Sequence, residues 1–366
     1  MLVLCEPPLK SSSHSVSQRF ADAIEREGIR CKFLKIGPEY PIKWLRQHRV
    51  PRAHAIYYLM FGWMVRRKLS KLKQDDIAWV YSNQTVINPF NSLFCNNIIQ
   101  GKCAKHVFVL MDGWLHNPHQ RHLASALISA ADMTAAITPQ LLDDVKEFDS
   151  SVMADLFEEA IDTNIVKPVD ISGKNYSVPR IVWTGSAENL RHLLASCADP
   201  LAEVFCRAPF VLRIIGASGA KTPPQVFPVE KLPYDISTEG ELLSAGIVGL
   251  NWAEETEYAA KKGFYKVKSY MAAGLPTVTN SVGYLKEMIT DGVTGRFVND
   301  SATLVDILTW LLRKPVKAKF MGENARVAAV KKFSYESLAR KYIDVLARHF
   351  PNEIDLAAQQ KDSMLN

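Results

Sequence analysis

The sequence contains no Cys-x-x-Cys pair, and its cysteines (Cys5, Cys31, Cys95, Cys103, Cys197 and Cys206) are scattered along the 366 residues. Dispersed thiols of this kind fit a reduced, cytoplasmic chain rather than a disulfide framework or a zinc site. Long apolar runs are also missing. The longest, Ala55 to Val65, falls far short of the roughly 20 residues needed to cross a bilayer, so an integral membrane protein is not expected. No signal peptide is visible, because Met1 leads directly into Leu2-Val3-Leu4-Cys5 and two prolines. There is no internal repeat and no low-complexity segment. His119 and His122 stand three apart without further ligands, so no metal is expected there.

Acidic residues are absent between Glu39 and Asp75, while the same stretch carries Lys43, Arg46, Arg49, Arg52, Arg66, Arg67, Lys68, Lys71 and Lys73. Trp44, Tyr57, Tyr58, Phe61 and Trp63 interleave with these cations. Three readings of this segment stand: a solvated face, a nucleic-acid surface, or peripheral attachment to an anionic bilayer. No recognition module surrounds it, which argues against nucleic acid as a partner. Interfacial aromatics beside cations favour the bilayer, with Trp63, Arg66, Arg67 and Lys68 as membrane-facing residues.

What is present is ordinary for a globular α/β chain: 48% apolar residues, 22% charged residues and a net charge of +6. Strand-like runs alternate with helical patterns, as in parallel sheets with helical crossovers. In the first half the runs are Leu2–Cys5, Arg30–Ile36, Ile77–Tyr81, His106–Met111 and Met133–Ile137. After a polar stretch, Lys167 to Ser177, the pattern restarts with Arg180–Thr184, Phe210–Gly216, Gly246–Trp252, Thr277–Thr279 and Gly295–Val298. The spacing predicts a Rossmann-like domain over 1–168, a second over 169–335, a terminal helix over 336–350 capped by Ser334, and a frayed tail over 351–366.

The most informative segment runs from Lys261 to Pro276 and on to Gly283. It reads as a loop, a short helix stopped by Gly274 and Pro276, and a buried strand. The helix begins near Lys266, so its N–H groups and positive dipole end meet lysines. That is an anion site, and a diphosphate is its natural occupant. The plainer reading is a surface helix with solvated lysines.

The run from Lys266 through Ser269-Tyr-Met-Ala-Ala-Gly-Leu-Pro-Thr-Val278, with Ser281-Val-Gly-Tyr-Leu-Lys-Glu-Met-Ile-Thr-Asp-Gly-Val-Thr-Gly-Arg-Phe-Val298, resembles the donor region of group 1, family-4-like GT-B glycosyltransferases. Ile181-Val-Trp-Thr-Gly-Ser186, Ala160-Ile-Asp162, Ala131-Asp132 and Thr138-Pro-Gln-Leu141 resemble further parts of that family. The resemblance implies an α/β GT-B fold: two Rossmann-like domains facing across a cleft, with the C-terminal helix returning to the N-terminal domain. It implies a retaining transferase that binds a nucleotide-diphosphate sugar as co-substrate, with no cofactor. The acceptor would be a glycan or a lipid-linked sugar in cell-surface polysaccharide synthesis, reached at the inner face of the cytoplasmic membrane.

In such enzymes the lysine at the position of Lys266 contacts the donor diphosphate, and Gly185 and Ser186 let the phosphates approach the backbone. Arg191 is a second diphosphate candidate, and Tyr234 lies where relatives contact the nucleobase. Gly263, Phe264 and Tyr265 lead into the donor helix. Glu257, among the glutamates after Trp252, is a candidate for the sugar hydroxyls. Asp112, at the end of a strong strand, and His116, one turn on, are candidate catalytic groups; a capping aspartate and a surface histidine are the plainer readings.

The sequence departs from the family where many members carry two glutamates eight residues apart. Lys261 and Ser269 occupy those positions, and Ser269 alters the contact to the ribose hydroxyls. The N-terminal loop has Ser11-Ser-Ser-His-Ser15 where glycines are frequent. No Asp-x-Asp triplet exists, so a metal-bridged GT-A mechanism is unsupported. A GT-B-shaped scaffold without catalysis is the competing reading; epimerisation of a sugar nucleotide would need an acid/base cluster that the sequence does not assemble.

Overall fold

The computed structural model describes residues 1–6, 12–35, 67, 71–81, 104–170, 178–235 and 237–354. The chain divides into two compact units. One comprises Met1–Glu158, Lys261–Gly263 and Leu338–Asn366, and the other Glu159–Ala260 and Phe264–Ser337.

In the first unit, strands β1 (Leu2–Glu6), β2 (Cys31–Lys35), β3 (Ile77–Tyr81), β4 (Lys105–Leu110), β5 (Met133–Ala136) and β6 (Ala154–Leu156) form a parallel sheet in the order β2-β1-β3-β4-β5-β6. The strands read as continuous apolar runs because helices cover both faces of a parallel sheet, and Val107 to Leu110 are all buried. Helices α1 (Ser12–Arg26), α2 (Arg121–Ala130) and α3 (Pro139–Phe148) supply that cover. Phe20 and Ile24, one turn apart on α1, are buried, and the Phe20 ring stacks on Trp79 at 5.2 Å.

In the second unit, β7 (Arg180–Thr184), β8 (Val211–Ile215), β9 (Val229–Leu232), β10 (Val248–Leu250), β11 (Thr277–Thr279) and β12 (Gly295–Phe297) form another parallel sheet, ordered β12-β11-β10-β7-β8-β9. Numbered from β7, this is the 3-2-1-4-5-6 Rossmann order, whose direction reverses between β7 and β10. The connecting helices are α4 (Ala187–Arg207), α5 (Glu239–Ser244), α6 (Glu257–Ala260), α7 (Tyr265–Ala272), α8 (Leu285–Met288), α9 (Ser301–Arg313) and α10 (Pro315–Phe333). Side chains alternate along β7 as the pleat requires. Ile181 and Trp183 pack in the core layer containing α4 and α9, whereas Val182 packs in the layer containing Tyr270, Met271 and Phe333.

The last helix, α11 (Tyr335–His349), follows Ser334, whose hydroxyl accepts from Ser337 N at 3.1 Å, as the sequence predicts. Its Tyr342 belongs to the first unit, where the ring stacks on Phe157 at 5.4 Å and the hydroxyl donates to the Glu158 carbonyl. The helix therefore returns to the N-terminal domain. The expected fraying from Pro351 is not seen at its first turn. Phe350 and Ile354 are buried, and Ile354 N bonds the Phe350 carbonyl at 3.1 Å, so apolar anchoring holds this turn.

Strands β6 and β9 escape the sequence reading. Both are sheet edges of three and four residues with only half-buried side chains, so neither shows a buried apolar run. Arg67 is helical and exposed, while Trp63, Arg66 and Lys68 lie outside the described residues. Among the described residues no helix is long and apolar enough to cross a membrane.

Candidate functional site

In an open parallel sheet, ligands bind beyond the carboxyl ends of the strands where the order reverses, which in the second unit is the β7/β10 gap. Tyr270 of α7 fixes that gap from below. Its buried hydroxyl accepts from Thr184 N at 2.9 Å and donates to the Leu250 carbonyl at 3.3 Å, tying the two strand ends together. Only a glycine at 249 allows this, since a Cβ there would lie 2.4 Å from the Tyr270 ring. Burial holds the Tyr270 phenol protonated by raising its pKa well above the ordinary value of 10.0.

Three residues of the second unit lie close together beyond β7. Gly185 follows β7, and Ser186 caps α4 by accepting from Asn189 N at 3.3 Å. The Lys266 ammonium lies 4.8 Å from the Trp183 ring centroid, and a Cβ at Gly185 would stand 3.2 Å from it. That Cβ would also strike the Trp183 ring at 2.8 Å, so glycine is what lets cation, ring and backbone meet. Gly216, after β8, is equally constrained: its φ is +97°, and a Cβ would lie 2.9 Å from the Gly185 carbonyl.

Helix α7 is preceded by Phe264, a non-glycine residue in the left-handed region with φ 48° and ψ 47°, and among the described residues no side chain caps its start. Such a conformation costs of order 1–3 kcal/mol and persists only where surroundings fix it. Here Val267 N bonds the Phe264 carbonyl at 2.9 Å, closing the first turn. The neighbouring Lys268 is different in kind. It is fully buried, donates to the Glu159 carbonyl at 2.7 Å and sits 5.3 Å from the Phe333 ring centroid, so it holds the fold.

The remaining donor-side candidates are placed variously. Tyr234 lies just past β9 and donates to Glu239 at 3.0 Å, whose carboxylate is buried. Arg191 is exposed on α4, and Glu257 is exposed at the start of α6. Its neighbour Glu254 pairs with His192 Nδ1 at 2.8 Å, a contact between the β10 exit and α4 that sequence spacing does not reveal. Tyr265 is half-buried, and its surroundings raise its phenol pKa, chiefly by desolvation and then by Glu239. Gly263 is buried. Ser269 is fully buried in α7, and its Oγ has no hydrogen-bond partner among the described residues. The loops that frame the gap are fastened by Asn280, which accepts from Ala253 N at 2.8 Å and donates to the Ala253 carbonyl at 2.7 Å.

A separate charged cluster lies in the first unit. Asp112 follows β4 at its carboxyl end, and its carbonyl starts the 3-10 turn Trp114–His116 by accepting from Trp114 N at 2.7 Å. His116 Nε2 meets Asp144 Oδ2 at 2.9 Å, and Lys261 Nζ pairs with Asp144 Oδ1 at 2.6 Å. Asp144 is buried on α3. Thr138, which caps α3 by accepting from Leu141 N, also donates to the Lys261 carbonyl at 3.1 Å. Thus Lys261, where many resembling enzymes carry glutamate, is met by a buried carboxylate. Sequence reasoning missed Asp144, whose α3 pattern signals only an amphipathic helix.

A groove of about 820 Å³ in the second unit lies elsewhere, lined in part by Ile247 and Leu275, which precede β10 and β11 at their amino ends. Among the described residues no group of three His, Cys, Asp or Glu side chains is placed to hold a metal ion.

No family model matches the chain. A stretch of 91 residues, 25% of this chain, is 32% identical to trehalose synthase of Pyrococcus horikoshii and spans 22% of that protein's length. Similar solved structures cover nearly the whole chain. HepE of Anabaena in complex with UDP-glucose matches with a TM-score of 0.69 and 13% identity, over 95% of this chain and 99% of that one. Sucrose-phosphate synthase from Thermosynechococcus elongatus matches with a TM-score of 0.69 and 13% identity, over 96% and 99%. A glycosyltransferase from Rickettsia africae matches with a TM-score of 0.64 and 13% identity, over 96% and 98%. With its two six-stranded parallel sheets and its terminal helix returning to the first domain, the chain has the GT-B fold of glycosyltransferases.

Proposed function

We propose that the chain transfers a sugar from a nucleotide-diphosphate donor to a glycan or lipid-linked acceptor, with retention of configuration and without a metal ion in the step. The observation that carries this reading is the convergence beyond the β7/β10 gap. The Lys266 ammonium, the close backbone at Gly185 and the N-terminal ends of α4 and α7 meet there. When the bond from the sugar's anomeric carbon to the diphosphate breaks, negative charge grows on the leaving oxygen. A fixed cation and helix N-termini stabilise that charge without reorganising. The acceptor hydroxyl then attacks the same face and gives its proton to the departing diphosphate. Asp112 and the His116–Asp144 pair are the groups proposed for the acceptor side. That HepE, which shares the fold, is solved with UDP and with UDP-glucose supports including uridine donors in the first assay. The resemblance favours cell-surface polysaccharide synthesis at the inner face of the cytoplasmic membrane as the setting.

One pair of observations favours a second reading, a GT-B-shaped binding subunit without catalysis. Lys261 is tied to Asp144 and Ser269 is sealed in α7, at the two positions where many resembling enzymes carry glutamates. The discriminating experiment incubates the chain with UDP-, GDP- and dTDP-sugars and follows release of nucleoside diphosphate. Turnover with one nucleotide class, reduced about 100-fold in Lys266→Ala, supports the transferase. Binding without turnover in the presence of varied acceptors supports the subunit.

A further inference from the structure

Helix α10, Pro315–Phe333, carries apolar side chains on the wrong side for a core helix. Val316 is 78% exposed, Phe320 63%, Val327 67% and Val330 41%. Their spacing, with Glu323 between them, alternates four and three residues. At about 3.6 residues per turn this keeps the whole set on one side of the helix over a length of about 21 Å. The opposite side is buried through Ala318, Met321, Gly322, Ala325, Ala329 and Phe333.

The helix cannot roll to bury the exposed set. A Cβ at Gly322 would lie 2.0 Å from the Gly274 carbonyl, so the inner face is in backbone contact with the end of α7. Arg326 locks the same orientation by donating to the carbonyls of Val166, Ala272 and Thr163 at 2.9, 2.8 and 2.7 Å.

Cations border the stripe. Lys319 and Lys331 flank its two sides, Lys317 and Lys332 stand further round, and Arg313 and Lys314 lie at the α9–α10 junction; all are exposed. Trp310, in the last turn of α9, is 38% exposed. Glu323 is the only acidic residue on α10, one turn from Lys319.

We infer that this outward face of α10 is a docking surface for an anionic bilayer. A stripe of Val and Phe, interrupted by Glu323 and edged by the groove that Val316 and Val327 also line, with lysines able to reach outward on both sides, is the pattern of a helix lying in the membrane interface. The charge argues against a second copy of this chain as the occupant, because a symmetric contact along the stripe would bring the flanking lysines of the two copies together. Phospholipid headgroups of negative charge satisfy both features. The inference does not depend on the transferase reading.

The test is co-sedimentation of the full chain with vesicles of phosphatidylcholine alone or mixed with phosphatidylglycerol. Wild-type protein is expected to bind the anionic vesicles, to bind the neutral ones far less, and to be released by salt. The variant V316D/F320D/V327D should lose at least tenfold in partitioning. These side chains are exposed, so thermal unfolding should stay near the wild type. The variant K319E/K331E should lose binding with the apolar stripe intact. Failure of the wild type to bind anionic vesicles overturns the inference. So does binding unchanged in both variants, which would move the contact to another surface such as Trp63–Lys68. A wild-type dimer that either variant dissolves, without vesicle binding, would make the occupant a second copy and overturn it equally.

Discussion

At the carboxyl edge of the second sheet the backbone itself is brought close: Gly185, Gly216 and Gly249 remove side chains where a Trp ring, a carbonyl and a Tyr ring must approach. At the corresponding edge of the first sheet, side-chain charge does the organising, with Asp144 gathering His116 and Lys261 in the unit whose strand β4 leads into Asp112. The contrast follows from what each edge is proposed to receive. A diphosphate is held best by converging N–H groups and one fixed cation, which needs backbone access. An acceptor hydroxyl needs oriented groups that exchange or accept protons, which needs charged side chains held by others.

The sharpest way to break the glycine-built edge is Gly283→Ala. The position has φ +50°, and a Cβ would lie 1.9 Å from the Ala260 carbonyl, so both backbone and neighbour resist. A loss of about 3 kcal/mol or more is expected in denaturant unfolding of the second unit. Gly292→Ala is the control: its φ is +74° but nothing lies within 4 Å, so the cost should be only about 1–2 kcal/mol. Equal losses would show that conformation alone, without the close approach, governs this edge.

The charged edge is tested next by Lys261→Glu. Placing a carboxylate against buried Asp144 should destabilise the first unit by about 2 kcal/mol and disturb the His116 contact. Reversing the pair, with Lys261→Glu and Asp144→Lys together, should recover part of the loss. Purely additive effects in that double-mutant cycle would mean the two side chains do not interact.

The smallest effect concerns Glu230 of β9. Burial opposes its ionisation, but the hydrogen bonds and charges of Arg213 and Arg180 outweigh this and hold its pKa below the ordinary 4.5. A depressed carboxylate pKa contributes stability that is complete above that ordinary value and is lost as pH falls through the folded-state value. Because Glu230 is one-third exposed, the contribution should be about 1 kcal/mol or less. Thermal melts of Glu230→Gln should therefore differ from wild type at pH 7 and converge with it in acid. A difference that persists undiminished below pH 3 would remove the ion pair from the account.

Much of the fold is legible in the sequence. The interior strands announce themselves as apolar runs, and Gly274 and Pro276 punctuate the segment that places Lys266. What escaped was set by distance or by shape. Asp144 lies 117 residues from Lys261, and no local pattern links them. His192 and Glu254 meet only because α4 and the β10 exit flank the same gap. Lys266 and Lys268 look alike in sequence, yet a two-residue step on a helix sends one beside Gly185 and buries the other beneath Phe333. The outward stripe of α10 was hidden because an apolar period marks a helix without saying which side the core takes.

The most direct test of the central claim is calorimetric titration of UDP, GDP and dTDP into wild-type protein and into Lys266→Ala. The account predicts that one nucleoside diphosphate binds the wild type and that the variant, still folded by thermal unfolding, binds it at least tenfold more weakly. Equal affinity in the two proteins would contradict a diphosphate site beside Lys266 and Gly185.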